Sequence, residues 1–398
     1  MGGWLAIGMN GGLRYPRVQF EPDPPLFESV DAEGLVRMTA VGAYIERRNG
    51  QYVQLRAFSP QPVLTVEADS PQELEIRIGN IHPEARFEAG SPLGRTEQTE
   101  GLERRLQVTL AGGGSYHLRW IFPDRDRYRF AAVGDSGAGR ELQWFLQRAA
   151  EFGADFILHL GDLYYPPGTL ADARAQIDRA TIPVYLTIGN HEFHRKAEPL
   201  PEIYTSLFGP RNYSFDVLDT RFVSLDTAAS TFPVWGGDRG RLLERLQSVG
   251  DSGIPDQYIV ITHRPMIDPR PGESHEIGGF EAEWLHKKFL QLGAITVLSG
   301  HIHESLEFHD RGVNVYVAGE GLAMRDLPQV ETVSRLLMGQ IERGEPVRLE
   351  WRPLNMPIEY HCHPPARALL QQENRLDVLK LVSASCKGLP GWTGASSR

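Results

Sequence analysis

Five short polar motifs follow apolar runs in the middle of the chain. They are Gly134-Asp135, Gly161-Asp162, Gly189-Asn190-His191-Glu192, His263 and Gly300-His301-Ile302-His303. Carboxylate, amide and imidazole groups bind borderline-to-hard transition metals, whereas a thiolate site would need cysteines that this region lacks. Glycine beside these groups removes side-chain bulk where the backbone turns and a ligand approaches. The motifs therefore predict a metal site, and the alternative that they are only turn residues at strand ends leaves their shared chemistry unexplained.

The apolar runs before these motifs have the length of buried strands. The central run, residues 156–160, is too short for a buried helix and ends at Gly161-Asp162. Such runs alternate with segments of helical spacing at residues 142–152 and 281–292, which predicts a layered α/β domain. An antiparallel pair over residues 213–225 argues against a (β/α)8 barrel. Because ligands bind at the carboxyl ends of strands in open α/β sheets, we expect the polar motifs to meet there.

Residues 36–122 have a different pattern, with short period-two segments and no helical period between them. They predict a small all-β sandwich of the fibronectin or immunoglobulin kind. The run Ala111-Gly112-Gly113-Gly114 predicts a β-hairpin between residues 106–110 and 116–120. The expected domains are an irregular N-terminal arm, the β-sandwich, the α/β domain and a tail with a helix around 367–382, with limits at 1–30, 31–123, 124–355 and 356–398.

Composition excludes some classes of partner. The formal net charge is −10, and no basic cluster indicates binding to nucleic acid or to an anionic membrane. No apolar run reaches the length of a membrane span, and the first residues lack a basic region before a short apolar segment. We therefore expect a cytoplasmic protein, or an exported one if the start is truncated or misassigned. Cys362 and Cys386 are free thiols in the first case and one disulfide in the second. The oligomeric state stays open.

Taken together and in order, the five motifs resemble those of the calcineurin-like metallophosphoesterases, and more narrowly those of the purple acid phosphatases. The resemblance covers roughly residues 129–318. It implies an αββα metallophosphoesterase sandwich, and the preceding β-sandwich matches the larger, plant-type architecture. Most metallophosphoesterases carry a histidine where this chain has Gly137. Purple acid phosphatases lack it and use a tyrosine three residues after the bridging aspartate, which is Tyr165 here.

The resemblance also implies ligands and a reaction. Two metal ions are expected, Fe(III) and a divalent ion such as Fe, Zn or Mn. Asp162 bridges them; the ferric ion takes Asp135, Tyr165 and His303, and the divalent ion takes Asn190, His263 and His301. The expected activity is that of an acid phosphatase, in which a metal-bound hydroxide attacks a small phosphate monoester in line. His191 would protonate the leaving oxygen, with Glu192 orienting it, and His275 would face the substrate.

Alternatives remain open for the function and for single residues. The same metal site could serve a phosphodiesterase or nucleotide hydrolase, and a non-catalytic binding protein could keep the fold. Tyr165 could pack beside the site while Tyr164 faces it, and His191 could only orient a ligand. A solvated loop is the alternative for His275, and His159 inside the central strand is expected to be a core histidine or to support a ligand.

Overall fold

The structure is a computed structural model. It describes residues 28–33, 36–90, 94–165, 169–193, 200–231, 233–248, 255–321 and 334–354, together with positions 371, 380, 383, 384, 386 and 387 in the tail. For residues 28–33 only the backbone is described. The expected helix around residues 367–382 lies almost wholly outside the described residues.

Residues 28–121 fold into a β-sandwich. Its strands are β1 (Glu28–Glu33), β2 (Val36–Val41), β3 (Ala43–Asn49), β4 (Tyr52–Ala57), β5 (Val63–Ala68), β6 (Gln72–Gly79), β7 (Arg86–Ala89), β8 (Gly94–Glu100), β9 (Glu103–Leu110) and β10 (Gly114–Ile121). Over the described residues they form two five-stranded sheets, in the orders β1-β2-β5-β10-β7 and β3-β4-β6-β9-β8. Alternate residues of both sheets, such as Met38, Ile76, Leu106 and Trp120, are buried in one core between them. The period-two pattern of the sequence arises from this single covered face.

The predicted hairpin at residues 111–114 is wrong. Strand β9 pairs with β6 and β8, whereas β10 pairs with β5 and β7 in the opposite sheet. The connection therefore crosses the sandwich at a tight corner, where a Cβ atom on Gly112 would lie 2.6 Å from Ser70 Cα. Both strands bury alternate residues in the same core, so their alternation cannot tell one sheet from the other.

The second domain is built from two sheets and five described helices. Its strands are β11 (Arg127–Val133), β12 (Phe156–His159), β13 (Val184–Leu186), β14 (Tyr213–Val217), β15 (Thr220–Ser224), β16 (Gln257–Ile261), β17 (Thr296–Ser299), β18 (Ser305–Asp310), β19 (Val313–Ala318), β20 (Arg335–Glu342) and β21 (Arg348–Pro353). The helices are α1 (Arg140–Glu151), α2 (Leu170–Ile177), α3 (Leu200–Phe208), α4 (Gly237–Ser248) and α5 (Gly279–Leu292). The sheet orders are β13-β12-β11-β20-β21 and β14-β15-β16-β17-β19-β18.

These elements stack in four layers. Helices α1 to α3 pack on the first sheet, where Leu142 and Tyr204 join the apolar cluster of Ile157. Aromatic rings fill the space between the sheets, with Phe130 and Phe222 at a centroid distance of 5.4 Å. Helices α4 and α5 cover the second sheet. The fold class is thus confirmed as an α/β αββα sandwich preceded by an all-β domain.

The structure corrects several element predictions. Strand β1 begins at Glu28, so the last residues of the predicted arm 1–30 are extended and paired with β2. Helix α3 and strand β20 lie where the sequence predicted no element. Strand β20 is central to its sheet, because it pairs with β11 on one side and β21 on the other. The domain limits at 123 and 355 stay predictions. None of the described helices is long and apolar enough to span a membrane.

The two domains are joined by polar contacts at one face. The side chain of Asn80, from the sandwich, donates to the backbone oxygen of Val184 in β13 and accepts from its N–H, both at 2.9 Å. Arg174 of α2 pairs with Glu46 of the sandwich at 2.6 Å. The parallel strands β11, β12 and β13 begin near these interdomain contacts, and the polar motifs follow the other ends of the same strands. The interdomain contacts therefore lie at the opposite end of the sheet from the polar motifs.

Candidate metal centre

The polar motifs meet at the carboxyl ends of strands from both sheets. Asp135, Asp162 and Asn190 follow β11, β12 and β13, which run parallel in the first sheet. His263 and His301 follow β16 and β17, which run parallel in the second. The sheets pack face to face, so the two sets of side chains point into one volume. Asp162, His263 and His301 each place one ligand atom within 4.8 Å of the others.

The backbone at this edge is held in a left-handed conformation. The φ angles of Asp135, Asp162 and His301 are 61°, 60° and 70°, a region that residues other than glycine seldom adopt. The turns are also closely packed, since a Cβ atom on Gly189 would lie 2.1 Å from Asp162 Oδ1. Strain of this kind persists where the surroundings hold a functional geometry.

Asp162 is the centre of the cluster and is 1% exposed. Its Oδ2 accepts from the Tyr165 hydroxyl at 3.0 Å, and its Oδ1 lies 3.3 Å from His263 Nε2. The backbone N–H of His191 donates to Oδ1 at 2.9 Å. Burial raises the pKa of Asp162, but the neighbouring His263 and His191 outweigh burial, so the pKa is held well below its ordinary value.

His263 is oriented from behind, as metal-binding histidines usually are. Its Nδ1–H donates to the backbone oxygen of Leu160 at 2.8 Å, which turns Nε2 toward the cluster. There Nε2 lies 2.8 Å from Asn190 Oδ1. Burial lowers the pKa of His263, but the charge and hydrogen bond of Asp162 exceed this effect and raise the pKa to about 9. The environment of Nε2 therefore favours a positive charge.

The other side of the cluster contains Asp135, Tyr165 and His303. The Tyr165 hydroxyl lies 3.1 Å from His303 Nε2, and this nitrogen lies 3.4 Å from Asp135 Oδ1. Asp135 is fully buried; its Oδ2 accepts from the backbone N–H of His301 at 2.8 Å, whereas its Oδ1 accepts no hydrogen bond from the described residues. A buried carboxylate oxygen without a donor is costly unless a cation occupies the site.

The residues present therefore fit a pair of metal ions. Carboxylate, amide, phenol and imidazole groups converge, and Asp162 faces both halves of the cluster. Tyr165 is in this cluster, whereas Tyr164 belongs to the apolar core beneath α1 and α2. Burial, followed by the charges of Asp162 and Asp135, raises the pKa of Tyr165 well above its ordinary value.

Glu192 has a different role from the one expected. Its fully buried carboxylate accepts from the backbone N–H groups of Gly189, Asp162 and Tyr164 at 2.6, 2.9 and 2.7 Å. It thereby ties the turn after β12 to the turn after β13, and its described hydrogen bonds go to backbone groups and not to the imidazole of His191. Burial and the charge of Asp162 raise the pKa of Glu192 to about 8.

Two more histidines border the cluster on its solvent side. The His191 side chain is 38% exposed; its ring lies 4.2 Å from the Tyr165 ring, and its Nε2 is 3.9 Å from Asp162 Oδ2. The His275 side chain is 42% exposed, and its ring lies 5.9 Å from that of His301. Both can therefore reach a molecule that enters from solvent.

His159 supports the cluster from within the central strand. It is fully buried, and its Nδ1 accepts from the N–H of Gly161 at 3.3 Å, so Nε2 is the protonated nitrogen and faces Ser136 Oγ at 2.8 Å. Burial lowers its pKa to about 3. His159 is thus a neutral core histidine behind Asp162.

Sequence reasoning missed supporting residues. Thr227 Oγ1 accepts from the backbone N–H groups of His263 and Arg264 at 3.1 and 2.9 Å, and Asp268 with Arg270 contacts His275. Thr227 follows a strand end like the ligands, but a lone threonine has no distinguishing spacing. The run Asp268-Pro269-Arg270-Pro271 was a visible signal of a rigid charged loop.

Comparison with known proteins agrees with this geometry. Residues 128–305 match the family model for the calcineurin-like phosphoesterases. No curated protein matches the chain.

Several solved structures are similar to it. Purple acid phosphatase PPD1 from yellow lupin seeds is 13% identical over 87% of this chain and 76% of its own, with a TM-score of 0.42. The dimetal phosphatase from Danio rerio is 13% identical over 57% of this chain and 96% of its own, with a TM-score of 0.36. GAP50, the anchor in the inner membrane complex of Plasmodium, is 14% identical over 58% of this chain and 86% of its own, with a TM-score of 0.43.

Proposed function

We propose that this protein is a binuclear-metal phosphomonoesterase of the purple acid phosphatase type that acts on a small phosphate ester. The observation that carries the proposal is the position of the Tyr165 hydroxyl, 3.0 Å from Asp162 Oδ2 and 3.1 Å from His303 Nε2. Gly137 has no side chain to offer a metal, and its N–H donates to the backbone oxygen of Asp162 at 3.1 Å. A phenol thus supplies the ligand that a histidine supplies in most of the family.

The proposed ligand sets follow the two halves of the cluster. Asp135, Tyr165 and His303 would hold Fe(III), and Asn190, His263 and His301 would hold a divalent Fe, Zn or Mn ion, with Asp162 shared. A phenolate favours a hard trivalent ion. Burial and the charges of Asp162 and Asp135 raise the pKa of Tyr165 well above its ordinary value, so the phenolate form would need a metal ion beside it.

The chain's own residues account for the remaining chemistry. Bound metal ions would supply positive charge for the phosphoryl oxygens and activate the attacking water. Hydrolysis breaks the bond between phosphorus and the ester oxygen, and that oxygen must gain a proton as it leaves. His191 is half-buried at the entrance, where its imidazole can donate this proton. Its stacking on Tyr165 limits the orientations of the ring.

The decisive experiment replaces Tyr165 by Phe. Protein purified without added metal is analysed for metals, its visible spectrum is recorded, and an aryl phosphate is assayed at mildly acidic pH. We expect wild-type protein to contain iron and absorb visible light, and Tyr165→Phe to lose or shift this absorption. Tyr164→Phe is the matched control, because Tyr164 lies in the apolar core, and it should leave the spectrum unchanged.

Two results would contradict the proposal in different ways. An unchanged spectrum in Tyr165→Phe refutes the iron–tyrosine assignment, while an active but iron-free enzyme leaves only the metallophosphoesterase part standing. A strong preference for diesters over monoesters would favour the phosphodiesterase alternative. A metal-loaded protein that hydrolyses no phosphoester in a broad panel would favour the non-catalytic one.

We also propose that the protein works in an oxidising compartment. Cys386 is buried and disulfide-bonded, and no described cysteine is free. Disulfides persist in exported proteins and are rare in the cytosol. This supports the exported alternative over the expected cytoplasmic location. Thiol titration of the unfolded protein without reductant should detect no free thiol, and two free thiols would refute the proposal.

A further inference from the structure

The loop after His263 contains an ionic network that the metal ligands do not explain. Its centre is Asp268, a partly buried residue whose side chain is covered by its partners. The Asp268 carboxylate accepts from Arg270 Nε at 2.9 Å and from Arg270 Nη2 at 2.8 Å, a two-bond contact that fixes the plane of the guanidinium. The backbone N–H of Arg270 donates to the same carboxylate at 3.1 Å. Pro269 and Pro271 restrict the backbone on both sides.

The network connects the two loops that carry the ligands of the second sheet. Arg270 Nη1 donates to Glu304 Oε1 at 2.9 Å, and Glu304 is the residue after His303. The segment 263–278 has no regular secondary structure in the described fold, and few backbone hydrogen bonds, such as Ile277 N–H to the oxygen of Pro265 at 3.1 Å, fix it besides the side-chain contacts. Arg270 therefore fixes the position of this loop against the loop after β17.

The network ends on His275. Its Nδ1 lies 3.1 Å from Asp268 Oδ2 and 2.9 Å from Arg270 Nη2, with Glu273 Oε2 at 3.6 Å. These contacts engage one ring nitrogen and leave Nε2 for the entrance, beside His301. A merely solvated loop histidine would not be expected to contact a carboxylate that is already held by an arginine.

We infer that Arg270, held by Asp268, is a positioning residue: its Nη2 donates to His275 Nδ1, which keeps the proton on Nε2, so that Nε2–H can donate to a free phosphoryl oxygen of a monoester. The inference rests on the proposed function and names the residues that would favour a monoester over a diester. A monoester keeps a non-bridging oxygen at a position that a second ester group occupies in a diester. An N–H donor directed there binds the monoester and gains little from the diester.

The test compares Arg270→Lys, Asp268→Asn and His275→Gln in the metal-loaded protein. Lysine keeps the charge of Arg270 but cannot form the two-bond contact. Phenyl phosphate and diphenyl phosphate are the matched substrates, and calorimetry measures the binding of inorganic phosphate. Arg221→Lys is the control, because Arg221 makes the same two-bond contact with Asp216, at 2.7 and 2.8 Å, on the hairpin of β14 and β15.

For each of the three variants we expect KM for the monoester and Kd for phosphate to rise about tenfold, with kcat within about threefold. The kcat/KM for the diester should stay within about twofold, and Arg221→Lys should match wild type. The double variant Arg270→Lys with His275→Gln should be no worse than His275→Gln, because Arg270 acts through His275.

Equal losses on monoester and diester, or additive losses in the double variant, would overturn the inference. Wild-type protein without phosphoester hydrolysis would contradict the proposed function instead. Phosphate affinity still reports on His275 in that case, and unchanged affinity in all three variants would refute its role.

Discussion

Replacement of Asn80 tests whether the β-sandwich stabilises the α/β domain. Asn80 is 3% exposed, and its side chain makes three hydrogen bonds with backbone groups. It donates to the oxygens of Ala57 at 2.8 Å and Val184 at 2.9 Å, and it accepts from the Val184 N–H at 2.9 Å. Strand β13 is the edge of its sheet, so Asn80 takes the place of a missing neighbouring strand.

The cost of removing these contacts can be worked from their number. Three hydrogen bonds at about 1 kcal/mol each give a loss of about 3 kcal/mol in the free energy of unfolding. The φ angle of Asn80 is 65°, where alanine adds about 1 kcal/mol of strain. Glycine relieves this strain but costs about as much in unfolded-chain entropy. Asn80→Ala and Asn80→Gly should therefore both lose about 4 kcal/mol.

Urea unfolding followed by tryptophan fluorescence measures this loss, and hydrogen exchange reports on the Val184 amide. We expect this amide to be protected in wild type and to exchange far faster in both variants. Asn49→Ala is the control, because Asn49 is exposed in the same domain. A loss below about 1 kcal/mol with a protected Val184 amide would refute the proposed interdomain role of Asn80.

The remaining predictions concern pH, the leaving group and the metals. Burial lowers the pKa of His82 to about 4, so unfolding takes up a proton between pH 6.5 and 4. After allowance for solvent screening, wild type should lose about 2 kcal/mol of stability as the pH falls through this range. Unfolding measured at pH 7 and at pH 4.5 should show a smaller loss of stability in His82→Gln. His191→Gln should reduce kcat at least tenfold more for an alkyl phosphate than for p-nitrophenyl phosphate, because the leaving oxygen of p-nitrophenyl phosphate needs no proton. Equal reductions of kcat for the two substrates would exclude His191 as the proton donor. Removal of metals with a chelator should lower the Tm of wild type, because the metals bind only the folded state. The same treatment should leave the Tm of Asp162→Asn unchanged. Equal shifts in Tm for the two proteins would contradict Asp162 as the shared ligand.

The sequence alone predicted which polar side chains gather at the candidate metal centre, because each follows a short apolar run. A strand and the residues that end it are adjacent in the chain, so the ligand chemistry and the strand end are visible together. Asp135, Asp162 and His263 were found in this way. The alternation of strands and helices likewise predicted the layers, since each layer covers the apolar faces of its neighbours.

Tertiary structure decided the features that depend on distant partners. Period-two alternation is the same whichever sheet a strand joins, so only the fold separates β9 from β10. Tyr164 and Tyr165 are adjacent in sequence, and the turn at Asp162 decides which one faces the cluster. Glu192 binds three backbone N–H groups, an arrangement without a sequence signal. The run 268–271 indicates a rigid charged loop, but it does not show that Arg270 connects His275 to Glu304. Local patterns record which residues are buried or polar, whereas contacts between segments far apart in the chain form only when the sheets pack together.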